Sequence, residues 1–512
     1  MRKVTIAEAK AKDRTERIGG SSRRLWIAAL SAVLTAACSD TPTGVVETTH
    51  SSKNIHFIAG YDVRDTTGTS PIQGLVVEVT DDSGAILPGT VVRFTGTVPD
   101  PSRPWLPSML VAPAASLYFS GTAFDTTNSR GRATILVQLG TIAGPGRIVV
   151  TVPELGIQDT AKYTILPGQP AGVRMTPKDT ALYAGRQLQL RGAVVDRNGN
   201  PRTDPVTYTA AAAGVSVDAS GAVTAGGSPA RASVIVGAQI YADTGWISVV
   251  PQGTIAAYQF RDTTGVVIVN LDGSGFRRLA PAVSGNTDVT PVWSADGTQI
   301  VYATGAYGTP MHLEAVSLQG TVRQFLQSPP TSLTEATWPQ YSHDGSVVYF
   351  SGHDASTNFA LWRASSGGSG ATQIGRNVGC CSVDWRSSPS ADGTRLAYVT
   401  DGTIIQVLTM SSSTVSSTGV NGQSPRWSPT ADVIAFTTQY GGPLKAMNPD
   451  GSNVHQLSAG GRYYSESAFG WSPDGRWIIA CGSASLELLD TQTGLTLPLG
   501  FTGKLSVPSW KP

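Results

Sequence analysis

The segment Pro291-Val-Trp-Ser-Ala-Asp-Gly297 returns four times in the second half of the chain, as Pro339-Gln-Tyr-Ser-His-Asp-Gly345, Ser387-Ser-Pro-Ser-Ala-Asp-Gly393, Pro425-Arg-Trp-Ser-Pro-Thr430 and Phe469-Gly-Trp-Ser-Pro-Asp-Gly475. Each copy leads into an apolar run of strand character: Gln299-Ile-Val-Tyr302, Val347-Val-Tyr-Phe350, Arg395-Leu-Ala-Tyr398, Val433-Ile-Ala-Phe436 and Trp477-Ile-Ile-Ala480. A second hairpin recurs later in the unit, as Asn270-Leu-Asp-Gly-Ser274 before Arg277-Arg-Leu279 and as Asn448-Pro-Asp-Gly-Ser452 before His455-Gln-Leu457. The period is about 40 to 48 residues, room for four strands with tight turns, and units of that kind arrange themselves radially as propeller blades.

In such a blade the aromatic of the motif fills the wedge between neighbours, Ser and Asp hydrogen-bond the turn, and Gly takes the positive φ that the turn needs. Asp296, Asp344, Asp392 and Asp474 are therefore read as turn-holding residues and not as catalytic carboxylates. Motif and hairpin together closely resemble the TolB-like β-propeller family over residues 252–512. Two copies depart from the pattern: Pro389 replaces the aromatic in the third, and Ala431-Asp432 replaces Asp-Gly in the fourth. A sixth blade is expected to be split, with Val507-Pro-Ser-Trp-Lys-Pro512 as its inner strand and Thr254-Ile-Ala-Ala-Tyr258, Val266-Val-Ile-Val-Asn270 and Phe276-Arg-Arg-Leu279 as the others.

Composition agrees with an all-β chain. Of 512 residues, 57 are Gly and 32 are Pro, the strongest breakers of regular helix. Only 14% are charged, against roughly 25% in ordinary soluble domains, while 40% are apolar, enough to fold. Upstream of the repeat, apolar alternation broken by turns runs through Leu75-Val-Val-Glu-Val79, Val91-Val-Arg-Phe94, Gly131-Arg-Ala-Thr-Ile-Leu-Val137 and Arg147-Ile-Val-Val-Thr-Val152. This stretch resembles the bacterial Ig-like modules of invasin-type adhesins, with Pro99 to Ser116 expected as an inserted loop. A second Ig-like module follows, carrying Val173-Arg-Met-Thr-Pro177, Leu188-Gln-Leu190 and Ala232-Ser-Val-Ile-Val236. Asp196, Asn198, Asn200 and Asp204 alternate as calcium ligands do, but Pro201 and Thr207 break the EF-hand pattern and a hairpin turn accounts for them better. The fold class expected is all-β: two Ig-like β-sandwiches followed by a six-bladed β-propeller closed by N- and C-terminal strands of one blade.

At the N-terminus, Leu25 to Ala37 is an uncharged, mostly apolar run after Arg23 and Arg24, the layout of a secretory signal and too short to span a bilayer comfortably. Leu34-Thr35-Ala36-Ala37-Cys38-Ser39 resembles a bacterial lipobox, with Leu one position further from the cysteine than usual; the resemblance implies lipidation of Cys38, the alternative being an ordinary cleaved signal. Ser39 in place of Asp implies the outer membrane by the family's sorting logic, and Ser22-Arg23-Arg24-Leu25-Trp26 also looks like a twin-arginine export signal. The segments expected are a signal peptide (1–37), a flexible tether (38–54), Ig-like domains at 55–167 and 168–251, and the propeller at 252–512, joined by the short breaker-rich Val250-Pro251-Gln252-Gly253. Without its first 37 residues the chain carries 29 basic and 33 acidic residues with no Lys/Arg cluster, so no nucleic-acid partner is expected.

No G-x-S-x-G, H-E-x-x-H or G-x-x-x-x-G-K-[ST] occurs, and no catalytic residue, metal ligand or cofactor is assigned. His343 and His353 are near neighbours in the second half of the chain, and His343 fills a variable turn position. Cys380, Cys381 and Cys481 leave a disulfide from Cys481 to one of the adjacent pair as an option beside reduced thiols. The reading is a non-catalytic, lipid-anchored lipoprotein of the cell envelope, periplasmic or surface-facing, whose propeller binds an envelope protein or peptide. The rivals are a carbohydrate-active propeller lyase or hydrolase, and a surface adhesin that uses its Ig-like domains. Cys38→Ala is expected to move the protein from the membrane pellet to the soluble fraction, because lipid chains contribute about 0.8 kcal/mol per buried CH₂; a variant that still pellets contradicts the lipobox.

Overall fold

The computed structural model describes residues 54–97, 109–116, 118–260, 264–281, 289–305, 309–353, 359–375, 386–399, 403–438, 442–458, 469–482, 485–501 and 505–512. Strands dominate throughout: the helical content of the described residues is one 3₁₀ turn, Pro153–Leu155. No helix among them is long and apolar enough to cross a membrane. The signal segment, the tether and Cys38, Cys380 and Cys381 lie outside the described residues.

The chain divides into two compact units at Leu166/Pro167. In the first, one sheet holds Ile55–Ala59, Leu75–Val79, Arg132–Leu139 and Met109–Pro113; the other holds Val63–Thr66, Ile157–Leu166, Gly144–Val152, Val91–Gly96 and Thr122–Thr126. Arg132–Leu139 buries every second residue, so Ala133, Ile135, Val137 and Leu139 face a core completed by Phe94, Ile148 and Val150. The expected loop from Pro99 to Ser116 is corrected here: Met109–Pro113 is a strand paired with Arg132–Leu139, because Met109 and Val111 both bury in that core.

The second unit begins with three small sheets: Pro170–Thr176 with Arg191–Asp196; Thr180–Tyr183, Tyr241–Val250, Ala230–Ala238 and Thr207–Ala210; and Gln187–Gln189, Ala222–Ala225 and Val215–Val217. They share a core that includes Leu190, Val223, Val234, Val236, Ile247 and Val249. Asp196 is the buried pivot of the turn: Oδ1 accepts the N–H groups of Asn198 (2.8 Å) and Asn200 (2.9 Å), and Oδ2 accepts the Asn200 amide (2.8 Å) and the Gly168 N–H (2.8 Å). Burial pushes its carboxyl up, but those bonds outweigh burial and hold it at about 2. Asp204 pairs with Arg202 at 2.6 Å, so this loop is a self-satisfied hairpin.

Six four-stranded antiparallel sheets occupy the rest of the described chain. Five are consecutive in sequence, opening with the short strands Val292–Trp293, Thr337–Tyr341, Ser388–Pro389, Gln423–Trp427 and Phe469–Trp471. The sixth joins Thr254–Gln259, Gly265–Asn270 and Arg277–Pro281 to the C-terminal strand Leu505–Trp510, with Ile255 opposite Trp510 and Gln259 opposite Leu505. The joint at residues 250–253 is packed: Val250 and Ala181 share a core with Ile255, Leu271, Leu497 and Trp510, and the Tyr183 hydroxyl donates to the Gly253 carbonyl at 2.8 Å.

The repeated turn is one hydrogen-bonding device. Ser294 Oγ donates to Asp296 (2.5 Å) and accepts the Gln299 N–H (3.1 Å), while Asp296 accepts the Thr298 N–H (3.1 Å). Ser342, Ser390 and Ser472 make the same pairs with Asp344, Asp392 and Asp474. Gly345 has a φ of 71°, and a Cβ there would collide with the Cβ of Ala295 in the preceding turn, so glycine is required both for the turn and for close approach of neighbouring sheets. The fourth copy replaces the device: Asp432 accepts the Trp427 indole N–H (3.1 Å) and the Arg395 guanidinium (2.8 Å) from the preceding sheet.

Removing residues 505–512 takes Leu505, Val507 and Trp510, all buried, out of the core. At roughly 1.5–3 kcal/mol for each large side chain, and with the edge of Thr254–Gln259 exposed, this is a large share of a typical stability of about 5–15 kcal/mol. The truncated protein is expected to melt well below the full chain in thermal unfolding; an unchanged melting temperature contradicts the role of this strand.

Candidate functional site

A cavity of about 240 Å³ is lined by residues of the first strand or first turn of all five consecutive sheets and by Val507, Pro508, Ser509, Trp510 and Pro512 of the C-terminal segment. The motif aromatics arrive here as Trp293, Tyr341, Trp427, Trp471 and Trp510, with Pro389 in the corresponding place of the remaining sheet. Their rings are fixed from behind: the Trp471 indole N–H donates to the Arg426 carbonyl (3.1 Å), and Arg395 Cζ lies 4.8 Å from the Trp427 ring centroid. Lys511 Nζ sits 5.4 Å over Trp293, so the C-terminal segment caps one of the five aromatics. Among the described lining residues Arg426 and His343 carry the basic side chains, beside aromatic and proline walls.

The turn aspartates ring this end of the sheets without lining the cavity. Asp344 and Asp392 are held at about 2, first by the hydroxyls of Ser342 and Ser390 and then by backbone N–H groups; Asp296 is lowered in the same way by Ser294. They are anions at neutral pH whose lone pairs serve the turn. His343 stands in its turn at the cavity rim, exposed. His353 ends the strand Val347–His353, roughly 20 Å away at about 3.3 Å per residue, with its Nδ1 2.6 Å from Glu335 and its ring centroid 3.8 Å from that of Phe359. These two histidines, ten residues apart in sequence, are thus held apart, and no group of three or more His, Cys, Asp or Glu side chains able to hold a metal occurs among the described residues. Cys481 is half-buried with its Sγ 3.7 Å from the Leu505 carbonyl, and burial pushes its thiol up to about 12, a poorly reactive state.

Sequence reasoning missed a second set of residues, at the first position of the motif or one or two positions before it. Thr290, Thr337, Trp338, Arg386, Ser387, Gln423 and Ser424 are all buried. The Arg386 guanidinium donates to Ser424 Oγ at 2.7 Å and lies 5.3 Å from the Trp338 ring. Trp338 (φ 47°), Ser424 (φ 50°) and Val507 (φ 49°) each precede a proline in the left-handed region, where side-chain-bearing residues are strained, and each coincides with a register shift in its strand. The signal that could have found them is Thr-Pro, Trp-Pro and Ser-Pro at one place in the repeat, where a simple strand would carry apolar residues. The hydroxyls of Thr290, Thr337 and Ser387 and the Gln423 amide have no hydrogen-bond partner; buried atoms of this kind cost about 1–3 kcal/mol each, so they mark a place where the fold gives up stability.

No protein-family model and no curated protein matches the chain. Among solved structures, TolB from Acinetobacter baumannii is similar at 15% identity and a TM-score of 0.41, over 60% of this chain and 83% of that one. The nidogen/laminin complex is similar at 10% identity and a TM-score of 0.39, over 51% of this chain and 99% of that one. An oligogalacturonate lyase in complex with manganese is similar at 15% identity and a TM-score of 0.30, over 49% of this chain and 73% of that one.

The lowered aspartates set an acid limit. Their folded pKa of about 2 lies below the model-peptide value of roughly 3.9, so their contribution is complete above that value and is lost as pH falls toward 2. Both are solvent-facing, which keeps the effect small. Asp344→Asn with Asp392→Asn is expected to flatten the fall in melting temperature between about pH 4 and pH 2; an acid limb identical to that of the parent contradicts the assignment.

Proposed function

We propose that residues 252–512 form a closed six-bladed, TolB-like propeller, that two Ig-like domains (55–167 and 168–251) precede it, and that the protein is an exported envelope lipoprotein anchored through Cys38. Its work is non-catalytic binding of a protein or peptide at the axial cavity. The observation that carries this reading is the convergence of six sheets on one cavity walled by aromatic and proline side chains beside one guanidinium and one imidazole. Such walls suit recognition of an extended peptide, which offers apolar and proline side chains to flat rings. The cavity is slightly under the usual range of about 300–1,000 Å³ for ligand pockets, a size for a side chain or a chain end.

His343 and Ala391 occupy turn positions at the rim whose residue type varies among the copies, so charge can be placed there without touching the core. Capture of envelope proteins on the immobilised full chain is expected to yield a partner that is lost with the double variant His343→Glu, Ala391→Glu. Capture that is undiminished by the double variant, or no capture by either form, contradicts binding at this cavity.

A further inference from the structure

The five-stranded sheet of the first unit sorts its charges by face. Gly144–Val152 and Ile157–Leu166 turn Ile148, Val150, Ala161 and Tyr163 into the core, so Arg147 and Lys162 stand on the outward face, exposed and directly opposite each other. By the same alternation Val91–Gly96 presents Arg93, opposite Thr151 on one side and the exposed Phe124 on the other, and Val63–Thr66 presents Arg64, opposite Thr164. These are four of the six Lys and Arg side chains among the described residues of the unit; Arg132 pairs with Glu78 at 2.9 Å, and Arg130 lies in a turn. The acids of these strands take the alternate positions, where Asp65, Asp125 and Asp159 accept the backbone N–H groups of Thr66 (2.7 Å), Thr134 (2.6 Å) and Thr160 (2.7 Å). Asp62, just ahead of Val63–Thr66, donates its N–H to the Lys162 carbonyl at 2.9 Å. Among the described residues no carboxylate forms an ion pair with Arg64, Arg93, Arg147 or Lys162.

Like charges directly opposite on a sheet cost stability, and bases that gain no partner within the fold gain one from anions outside it. The register spreads the four bases about 14 Å across the strands and about 20 Å along them, a patch too wide for one ionised group and matched to a surface that carries many. The sequence alone shows no such cluster, because the four bases come from four strands that only the sheet brings side by side. The length of chain ahead of this unit points to the surface. Cys38 lies 16 positions before Asn54, and at no more than about 3.6 Å per residue the first unit stays within roughly 58 Å of that cysteine. Resting on the reading of the chain as a lipoprotein anchored at Cys38, we infer that this face docks on the anionic phospholipid headgroups of the anchoring membrane. Guanidinium and ammonium groups meet the phosphates, and the Phe124 ring settles at headgroup level beside Arg93. The contact orients the first unit; salt releases it, so it does not replace the anchor.

Vesicle sedimentation tests this with the chain from residue 38 onward carrying Cys38→Ala, which retains every described residue and has no lipid. At about 0.1 M salt its partition onto equimolar phosphatidylglycerol and phosphatidylcholine is expected to exceed that onto pure phosphatidylcholine at least tenfold, and to fall toward the neutral value as salt rises. Each base near an anionic surface is worth about a fivefold change in partition, so Arg147→Gln with Lys162→Gln is expected to lose at least tenfold of the preference. That variant is expected to melt no lower than the parent, since a like-charged pair is gone. Arg64→Gln with Arg93→Gln is a second, independent pair with the same expected loss. Arg130→Gln with Arg186→Gln removes equal charge from elsewhere and is expected to cost less than twofold. Equal partition onto the two kinds of vesicle, or equal losses from the face pairs and the control pair, overturns the inference. Retention on alginate that depends on Arg147 and Lys162, with no preference for anionic vesicles, also overturns it and makes an acidic polysaccharide the partner. Because the tested chain carries no lipid, each of these failures leaves the anchor to the fractionation of Cys38→Ala, where a salt wash removes this contact and not a lipid chain.

Discussion

The pairing of Leu505–Trp510 with Thr254–Gln259 is the constraint on which the second half of the molecule depends. Without it, that sheet would be left with three strands and an open edge at Thr254–Gln259, and the cavity would lose the wall formed by Val507 to Trp510. The pairing is also the most non-local in this part of the chain, joining strands that lie at either end of all the other sheets. Its contacts are accordingly among the last expected to form, after the local hairpins of each sheet.

Close approach of neighbouring sheets follows from the repeated turn. A serine hydroxyl and an aspartate carboxylate satisfy the backbone of a tight bend, and glycine lets the preceding turn lie directly against it. The same kind of contact recurs between the C-terminal segment and the first of the five consecutive sheets, since Gly297 abuts the side chain of Lys511. Where the motif fails, at Thr430-Ala431-Asp432, the chain substitutes an Arg395–Asp432–Trp427 latch between sheets, a different local solution to the same joining problem. Upstream, the second small-sheet region is tied into the same body through Val250, Ala181 and Tyr183, so the orientation of the cavity relative to that region is fixed by a shared core rather than by a loose linker.

Much of this architecture was legible because its signals are local. The Trp-Ser-x-Asp-Gly copies marked the turns, the alternation of Arg132–Leu139 marked a half-buried strand, and Trp510 echoed the motif strongly enough to place the terminal strand. What was not legible depends on convergence. Met109–Pro113 looked like an insertion because its partner strand lies 20 or more residues further on in sequence. Gln423, Thr337 and Arg386 were missed because the Xaa-Pro recurrence beside two of them is a weak signal, and the burial of their polar groups arises only when several strands meet. The separation of His343 from His353 likewise needed the strand between them to be placed.

Native-state hydrogen exchange at this strand pair tests the central claim, that the C-terminal strand is integral to the cooperative fold of the six sheets. The amides of Ile255–Tyr258 and Ser506–Trp510 that bond across the pair are predicted to exchange only by global unfolding, with the same opening free energy as amides of Val347–His353 in the middle of the array. Exchange of the terminal strand through a separate, lower-energy opening while Val347–His353 stays protected would contradict it.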